Sequence, residues 1–189
     1  HASTTNKKPF SVKLAVLKAL SKKFCANPGR SAHTLGLNAG NEVFETRSLV
    51  NDFFNVGCLE HIVFTSGCTE ALNTAIFGTL KQCGHIIVSS NEHNSVARCL
   101  KKLEHDGKIT LTIVKTNDDG VVLSEDIEKA IRPETYLVIV NHTSNVTGAT
   151  ADVDKIGKMC KKHSIMFMVD CAQSAGHKKI DMQKQNIDI

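Results

Sequence analysis

Short runs of apolar, often β-branched residues alternate along this chain with stretches in which apolar positions return every three or four residues. The first pattern marks buried strands and the second marks helices with one apolar face. Strands are predicted over residues 62–65, 85–89, 110–114, 136–140 and 165–169, with helices over 69–80, 95–105, 124–131 and 152–163 between and around them. Two helices come earlier. Val12, Ala15, Val16, Ala19 and Leu20 share a face before the break at Asn27-Pro28-Gly29, and residues 35–54 place Leu35, Ala39, Val43, Val50 and Phe53 together. Strands that are apolar throughout, joined by helices, predict an α/β fold: a doubly wound, mainly parallel sheet with helices on both faces. No repeat or low-complexity linker interrupts the alternation.

In such a sheet ligands sit beyond the carboxyl ends of the strands, so polar residues there are site candidates. The run ending at Val169 stops on a carboxylate, in Asp170-Cys171-Ala172-Gln173-Ser174-Ala175-Gly176-His177. Taken alone, Asp170 reads more readily as a turn-capping residue, because Asp is common in that place. The passage from strand to helix at Phe64-Thr65-Ser66-Gly67-Cys68-Thr69-Glu70-Ala71 offers free N–H groups at the positive end of a helix, a natural seat for a phosphate. Its plainer reading is a helix start capped by Thr69 or Ser66, with Glu70 complementing the dipole. Neither G-x-G-x-x-G nor G-x-x-x-x-G-K-[ST] is present.

Composition narrows the classes. With 189 residues and 41% hydrophobic content the chain can bury a substantial core. Lys plus Arg outnumber Asp plus Glu by 23 to 19, but the net +4 is spread along the chain, so no basic patch argues for nucleic acid or a membrane surface. The seven cysteines (Cys25, Cys58, Cys68, Cys83, Cys99, Cys160 and Cys171) include no Cys-x-x-Cys pair, which fits a reducing compartment and mostly small buried hydrophobes. A metal site from Cys68, His93, Asp170 and Cys171 lacks the usual ligand spacing, so no metal is expected. His61, His85, His105 and His163 are expected at surfaces or edges, and His142 against a strand end. No membrane-spanning stretch or signal peptide is visible, although the sequence opens at His1 and a targeting segment can precede it. The expected location is cytoplasmic, with an organelle also compatible.

Read together, six segments resemble the class V aminotransferase family of pyridoxal-phosphate enzymes, and within it the cysteine desulfurase-like branch. They are Ala2–Thr5, Asn27–His33, Phe64–Asn73, Glu92–Ser95, His142–Gly148 and Asp170–His177, in the family's order. The resemblance implies pyridoxal 5'-phosphate as cofactor. Asp170 would pair with the pyridine nitrogen by a charge-assisted bond that makes the ring an electron sink. Gln173 and Asn145 would reach the ring's phenolic oxygen, and Thr69 with the N–H groups of Gly67 and Cys68 would hold the phosphate. His93 would stack on the ring and act as catalytic acid or base; imidazole's reference pKa of about 6.5 suits proton transfer near neutrality.

The family's cofactor-anchoring lysine follows after one further strand, and no residue here matches it. Lys178 lies only eight positions past Asp170, in the turn leading to Ile180, and is expected to be a surface lysine. None of the cysteines matches the desulfurase nucleophile. Residues 1–30 are therefore expected to be an N-terminal segment and helix, and residues 31–189 a partial cofactor-binding large domain, truncated before the lysine. The whole enzyme would convert cysteine to alanine and leave sulfur as a persulfide on a cysteine of the protein, as a homodimer serving a sulfur-acceptor protein. This part alone is expected to be inactive and to bind the cofactor loosely or not at all. Another class V aminotransferase, a selenocysteine lyase, or a non-catalytic scaffold that kept the fold are the alternatives.

Overall fold

A computed structural model describes residues 7–21, 26–29 and 33–189. The segment 2–5 and residues 30–32 of the resemblance, with Cys25, lie outside the described residues. The chain divides into two compact units, the first ending at Val63 and the second running Phe64–Ile189.

The first unit holds helices α1 (Phe10–Ala19) and α2 (Thr34–Phe54) and a 3₁₀ turn (Leu59–His61). His33 caps α2, its Nδ1 accepting the Gly36 N–H at 3.2 Å. Asn55 ends the helix in the left-handed conformation, which asparagine tolerates better than most residues other than glycine. The two helices share an ion pair between Lys18 and Glu42 at 3.2 Å, and Arg47 donates from Nε to the Ile62 carbonyl at 3.2 Å. The strand expected over 62–65 does not form. That run is apolar and outside any strand pairing, and Val63 is 72% exposed. Periodicity can report that a segment is apolar, but not whether a neighbour exists to take its hydrogen bonds.

The second unit is an all-parallel four-stranded sheet in the order β2-β1-β3-β4, formed by β1 (Gly84–Ser89), β2 (Ile109–Val114), β3 (Thr135–Asn141) and β4 (Met166–Asp170). Helices α3 (Cys68–Gly78), α4 (Asn94–His105), α5 (Ser124–Lys129) and α6 (Val153–Lys162) lie around it. Alternate residues of the strands serve opposite faces. Ile86 and Val88, Leu137 and Ile139, and Met168 cluster with Leu72 and Ile76 of α3 and with Val96, Cys99, Leu100 and Leu103 of α4. That last set repeats at helical spacing, so α4 turns one continuous stripe to the sheet. Phe167, of the opposite parity, meets α6 at Gly157. Both faces are thus covered, as expected of a doubly wound sheet. A fully buried aliphatic side chain contributes about 1.5–3 kcal/mol, and the interior of this sheet is made of little else.

Three expectations need correction. His85 is fully buried, not peripheral; its Nδ1 pairs with Thr135 Oγ1 at 2.7 Å and its Nε2 with Thr112 Oγ1 at 2.8 Å, so hydroxyls of β3 and β2 satisfy both nitrogens. Of the described cysteines only Cys99 and Cys160 are buried. β2, at the sheet edge, is not apolar-buried throughout, with Ile113 48% exposed. A short helix α7 (Met182–Gln185) was not expected, since four residues are too few to show a period. After it, the chain lies along β4: the Asp188 N–H donates to the Phe167 carbonyl and the Val169 N–H to the Ile189 carbonyl, both at 2.9 Å.

Candidate active site

Because all four strands are parallel, their carboxyl ends share one edge of the sheet. Asn141 and Asp170 are register partners, closing β3 and β4 side by side. Asp170 is 4% exposed. Its Oδ1 accepts the Ala172 N–H at 2.9 Å and the Cys68 thiol at 3.6 Å. Both bonds fall on one oxygen, so Oδ2 is the acceptor that remains. The thiol contact spans 102 positions of sequence and brings the first residue of α3 to the strand-end acid.

The start of α3 departs from the capped helix that sequence allowed. Gly67 occupies the N-cap position and no side chain caps the helix. Glu70 turns back instead to accept from the Ser66 N–H at 2.7 Å and the Ser66 hydroxyl at 2.6 Å. Thr65 donates from its hydroxyl to the Gly67 carbonyl at 3.1 Å. The first-turn N–H groups of Cys68 and Thr69 are therefore left to an outside acceptor, and a Cβ on Gly67 would meet nothing within 4 Å. This is an open, positively polarised helix end.

Thr69 and Asn73 from α3 face His93, Ser95 and Arg98 from the start of α4 across a cleft of about 320 Å³. His93 is the α4 cap: Nδ1 accepts the Ser95 N–H at 3.2 Å and lies 2.8 Å from the Ser95 hydroxyl. A ring nitrogen that accepts a backbone N–H is unprotonated, so the neutral tautomer carries its proton on Nε2. A larger cavity of about 460 Å³ lies at the opposite, amino end of β4, between Lys161, Met166 and Met182. It has no part in this arrangement.

The loop after β4 is held from below. His142, 5% exposed, pairs through Nδ1 with Ser174 Oγ at 2.9 Å, and its N–H donates to the Asp170 carbonyl at 3.0 Å. Burial, with the Lys178 charge second, pushes the imidazole below its ordinary pKa. Gln173 is half-buried in that loop. Asn145 is on the exposed turn after β3, with no side-chain hydrogen bond to Asp170, Thr69 or His93. Lys178 is exposed, its N–H bonded to the Ser174 carbonyl at 2.9 Å. The structure thus joins Gly67, Cys68, Thr69, His93 and Asp170 around one edge, with Gln173 beside Asp170 and Asn145 further out.

Two features escaped the sequence. The first is the Cys68 side chain. Partial desolvation of the sulfur, then Asp170, pushes the thiol of this otherwise exposed residue up to about 11, and desolvation also raises the half-buried Cys171, next to Asp170, to about 11. Neither thiol is a ready nucleophile at neutral pH. The second is Glu92. Its Oε1 accepts the Asn141 N–H at 2.6 Å and a very short bond from the Ser89 hydroxyl, while Oε2 is buried with no partner. Only the position of Glu92, in the loop following an apolar strand, hinted at it.

Comparison with known proteins now places this geometry. The family model for class V aminotransferases matches residues 1–189. The cysteine desulfurase IscS of Shewanella sp. strain ANA-3 is 39% identical over 167 residues, covering 86% of this chain and 41% of that protein. Among solved structures, SspA in complex with cysteine superposes with a TM-score of 0.89 at 32% identity, over 98% of this chain and 54% of that one. The apo cysteine desulfurase of Thermococcus onnurineus NA1 gives 0.87 at 31%, over 98% and 46%. The chain spans about half the length of the proteins it matches, or less.

Proposed function

Because the chain belongs to the class V aminotransferase family, we propose that it is the cofactor-holding part of a pyridoxal-phosphate-dependent cysteine desulfurase. The observation that carries this reading is the contact between Cys68 and Asp170, which sets an uncapped helix end beside a buried strand-end carboxylate. A phosphorylated pyridine asks for those two groups together: backbone N–H donors for the phosphate and an anion for the ring nitrogen. The residues present fit it.

In this reading Thr69, with the N–H groups of Gly67 and Cys68, binds the phosphate. Asp170 holds a proton on the pyridine nitrogen through Oδ2, its other oxygen being fixed by Ala172 and Cys68. When bound, pyridoxal phosphate supplies the ring that accepts the electron pair released at the substrate's α-carbon. His93 faces the same cleft as Thr69 and offers Nε2 to the ring face or to a proton in transit. Gln173 and Asn145 orient the ring's phenolic oxygen. His142 and Ser174 keep the loop carrying Asp170 and Gln173 in place. Residues 31–189 form the partial large domain of this enzyme, and the cofactor-anchoring lysine and the sulfur-accepting cysteine are assigned to no residue of this chain. Cysteine as substrate, alanine and transferable sulfur as products, a homodimer and a sulfur-acceptor protein complete the proposal. Among the described residues no helix is long and apolar enough to cross a membrane.

A chimera tests it, with residues 1–189 replacing the matching part of the Shewanella desulfurase. It should release sulfide and alanine from cysteine in equal amounts, and Asp170→Ala should reduce the rate by at least about a hundredfold, the scale expected when a charge-assisted contact to the reacting system is removed. A folded chimera that binds pyridoxal phosphate but turns over another amino acid and not cysteine would move the assignment to a different class V activity.

A further inference from the structure

Glu92 stands where three elements meet, the end of β1, the end of β3 and the start of α4, and the roles given above make no use of it. We propose that Glu92 is a positioning residue of this site: its carboxyl ties β1 to β3 beneath His93 and, by keeping its own proton, adds no second negative charge beside Asp170. The proposal rests on the cofactor reading for what Glu92 positions, and on geometry for the rest.

The tie is direct. Oε1 accepts from the Asn141 N–H and the Ser89 hydroxyl, and Asn141 returns a bond from Nδ2 to the Asn91 carbonyl at 3.4 Å. Asn141 is the register partner of Asp170, and His93 is the next residue after Glu92. One carboxyl thus fixes the backbone beside Asp170 and the backbone that launches His93.

The charge follows from the other oxygen. Oε2 is buried and no donor reaches it. An ionised carboxylate would there have one oxygen without any hydrogen bond, which is costly in a low-dielectric interior. A neutral acid removes that cost while Oε1 keeps its bond from the Asn141 N–H. The charged and titratable groups around it are Asp170 from β4, Lys101 of α4, which lines the same small cavity, and His93. Asp170 is the one that acts on it, as a like charge. Two carboxyls within each other's field divide their roles, one staying ionised and the other keeping its proton. Glu92 is the one whose free oxygen is sealed from water without a donor, so it is the one that keeps its proton. In agreement, burial raises the Glu92 carboxyl to about 8.

The 189-residue chain itself provides the test, with Glu92→Gln, Glu92→Ala and Asp170→Asn. Infrared spectra should show a carboxylic-acid band at pH 7 that is missing in Glu92→Gln, and Asp170→Asn should lower the pH at which that band is lost. Hydrogen exchange at Asn141 N–H should be slow in wild type and Glu92→Gln, which keeps the carbonyl acceptor, and fast in Glu92→Ala. With pyridoxal phosphate as probe, the Gln variant should rescue binding that the Ala variant weakens by about tenfold. An ionised Glu92 at pH 7 overturns the proposal. So does a midpoint indifferent to Asp170→Asn, or an Asn141 amide equally protected in Glu92→Ala. If Glu92→Ala does not fold, the Gln and Asn variants still decide the charge assignment. Failure of the wild-type chain to bind pyridoxal phosphate would count against the cofactor reading, while the infrared and exchange results still decide Glu92.

Discussion

Asp170 and His142 illustrate how few side chains fix the candidate site. Asp170 is held by an N–H two residues ahead and a thiol from a distant helix, and His142 anchors the loop that follows by bonding Ser174 and the Asp170 carbonyl. Both His142 and His85 are buried with pKa values pushed below the free imidazole value of 6.5, chiefly by burial. The unfolded chain then binds more protons than the folded one between the lowered values and 6.5, so stability is complete above that window and falls as pH drops through it. Thermal unfolding of the wild type should lose stability on acidification below 6.5, and His142→Gln should lose less over the same range; parallel curves would show that His142 is not buried as described. The places of Asp170 at a strand end and Thr69 at a helix start were legible in the run pattern, whereas His93 entered only through the family resemblance. The roles of Glu92 and the Cys68 thiol were not legible, since their partners lie 49 and 102 positions away. His85 was misread for a related reason: a histidine opening a strand looks peripheral until the hydroxyls that satisfy it are located.

At the level of elements, the α3 start is the informative junction. A Ser or Thr cap would have closed it, and the chain instead places Gly67 at the cap and turns Glu70 onto Ser66. Sequence left cap and phosphate seat both open, because the same residues serve either. Four of the five expected strands and all the longer helices were visible as period and run length, whereas residues 62–65 met no partner and α7 had no period to show. Packing between α6 and α7 was equally invisible. A Cβ at Gly157 would collide with the Gln185 backbone carbonyl and press the Phe167 ring at 3.4 Å. Backbone cannot give way as a flexible side chain does, so Gly157→Ala should destabilise by about 1–3 kcal/mol despite its better helix propensity. Urea unfolding measures this, and an unchanged or higher midpoint would mean α7 moves aside freely.

For the whole second unit, the sheet gathers its chemistry along one edge and keeps its hydrocarbon between helices on either face. That architecture was legible, because alternation of run types is a property of the entire sequence and survives local errors. The resemblance also implied a chain spanning only part of the family's length, and the relatives it matches are about twice as long. The contacts proposed for the cofactor, a helix-end phosphate seat and an anion for the ring, would contribute about 1–3 kcal/mol each and would have to offset the entropy of association. With no lysine of this chain assigned as the covalent anchor, binding should be weak and reversible. Calorimetric titration of pyridoxal phosphate into the chain, compared with Asp170→Ala, tests this most directly. A saturable one-to-one heat is expected, with affinity about tenfold or more weaker in the variant. Superimposable titrations of the two proteins would contradict it.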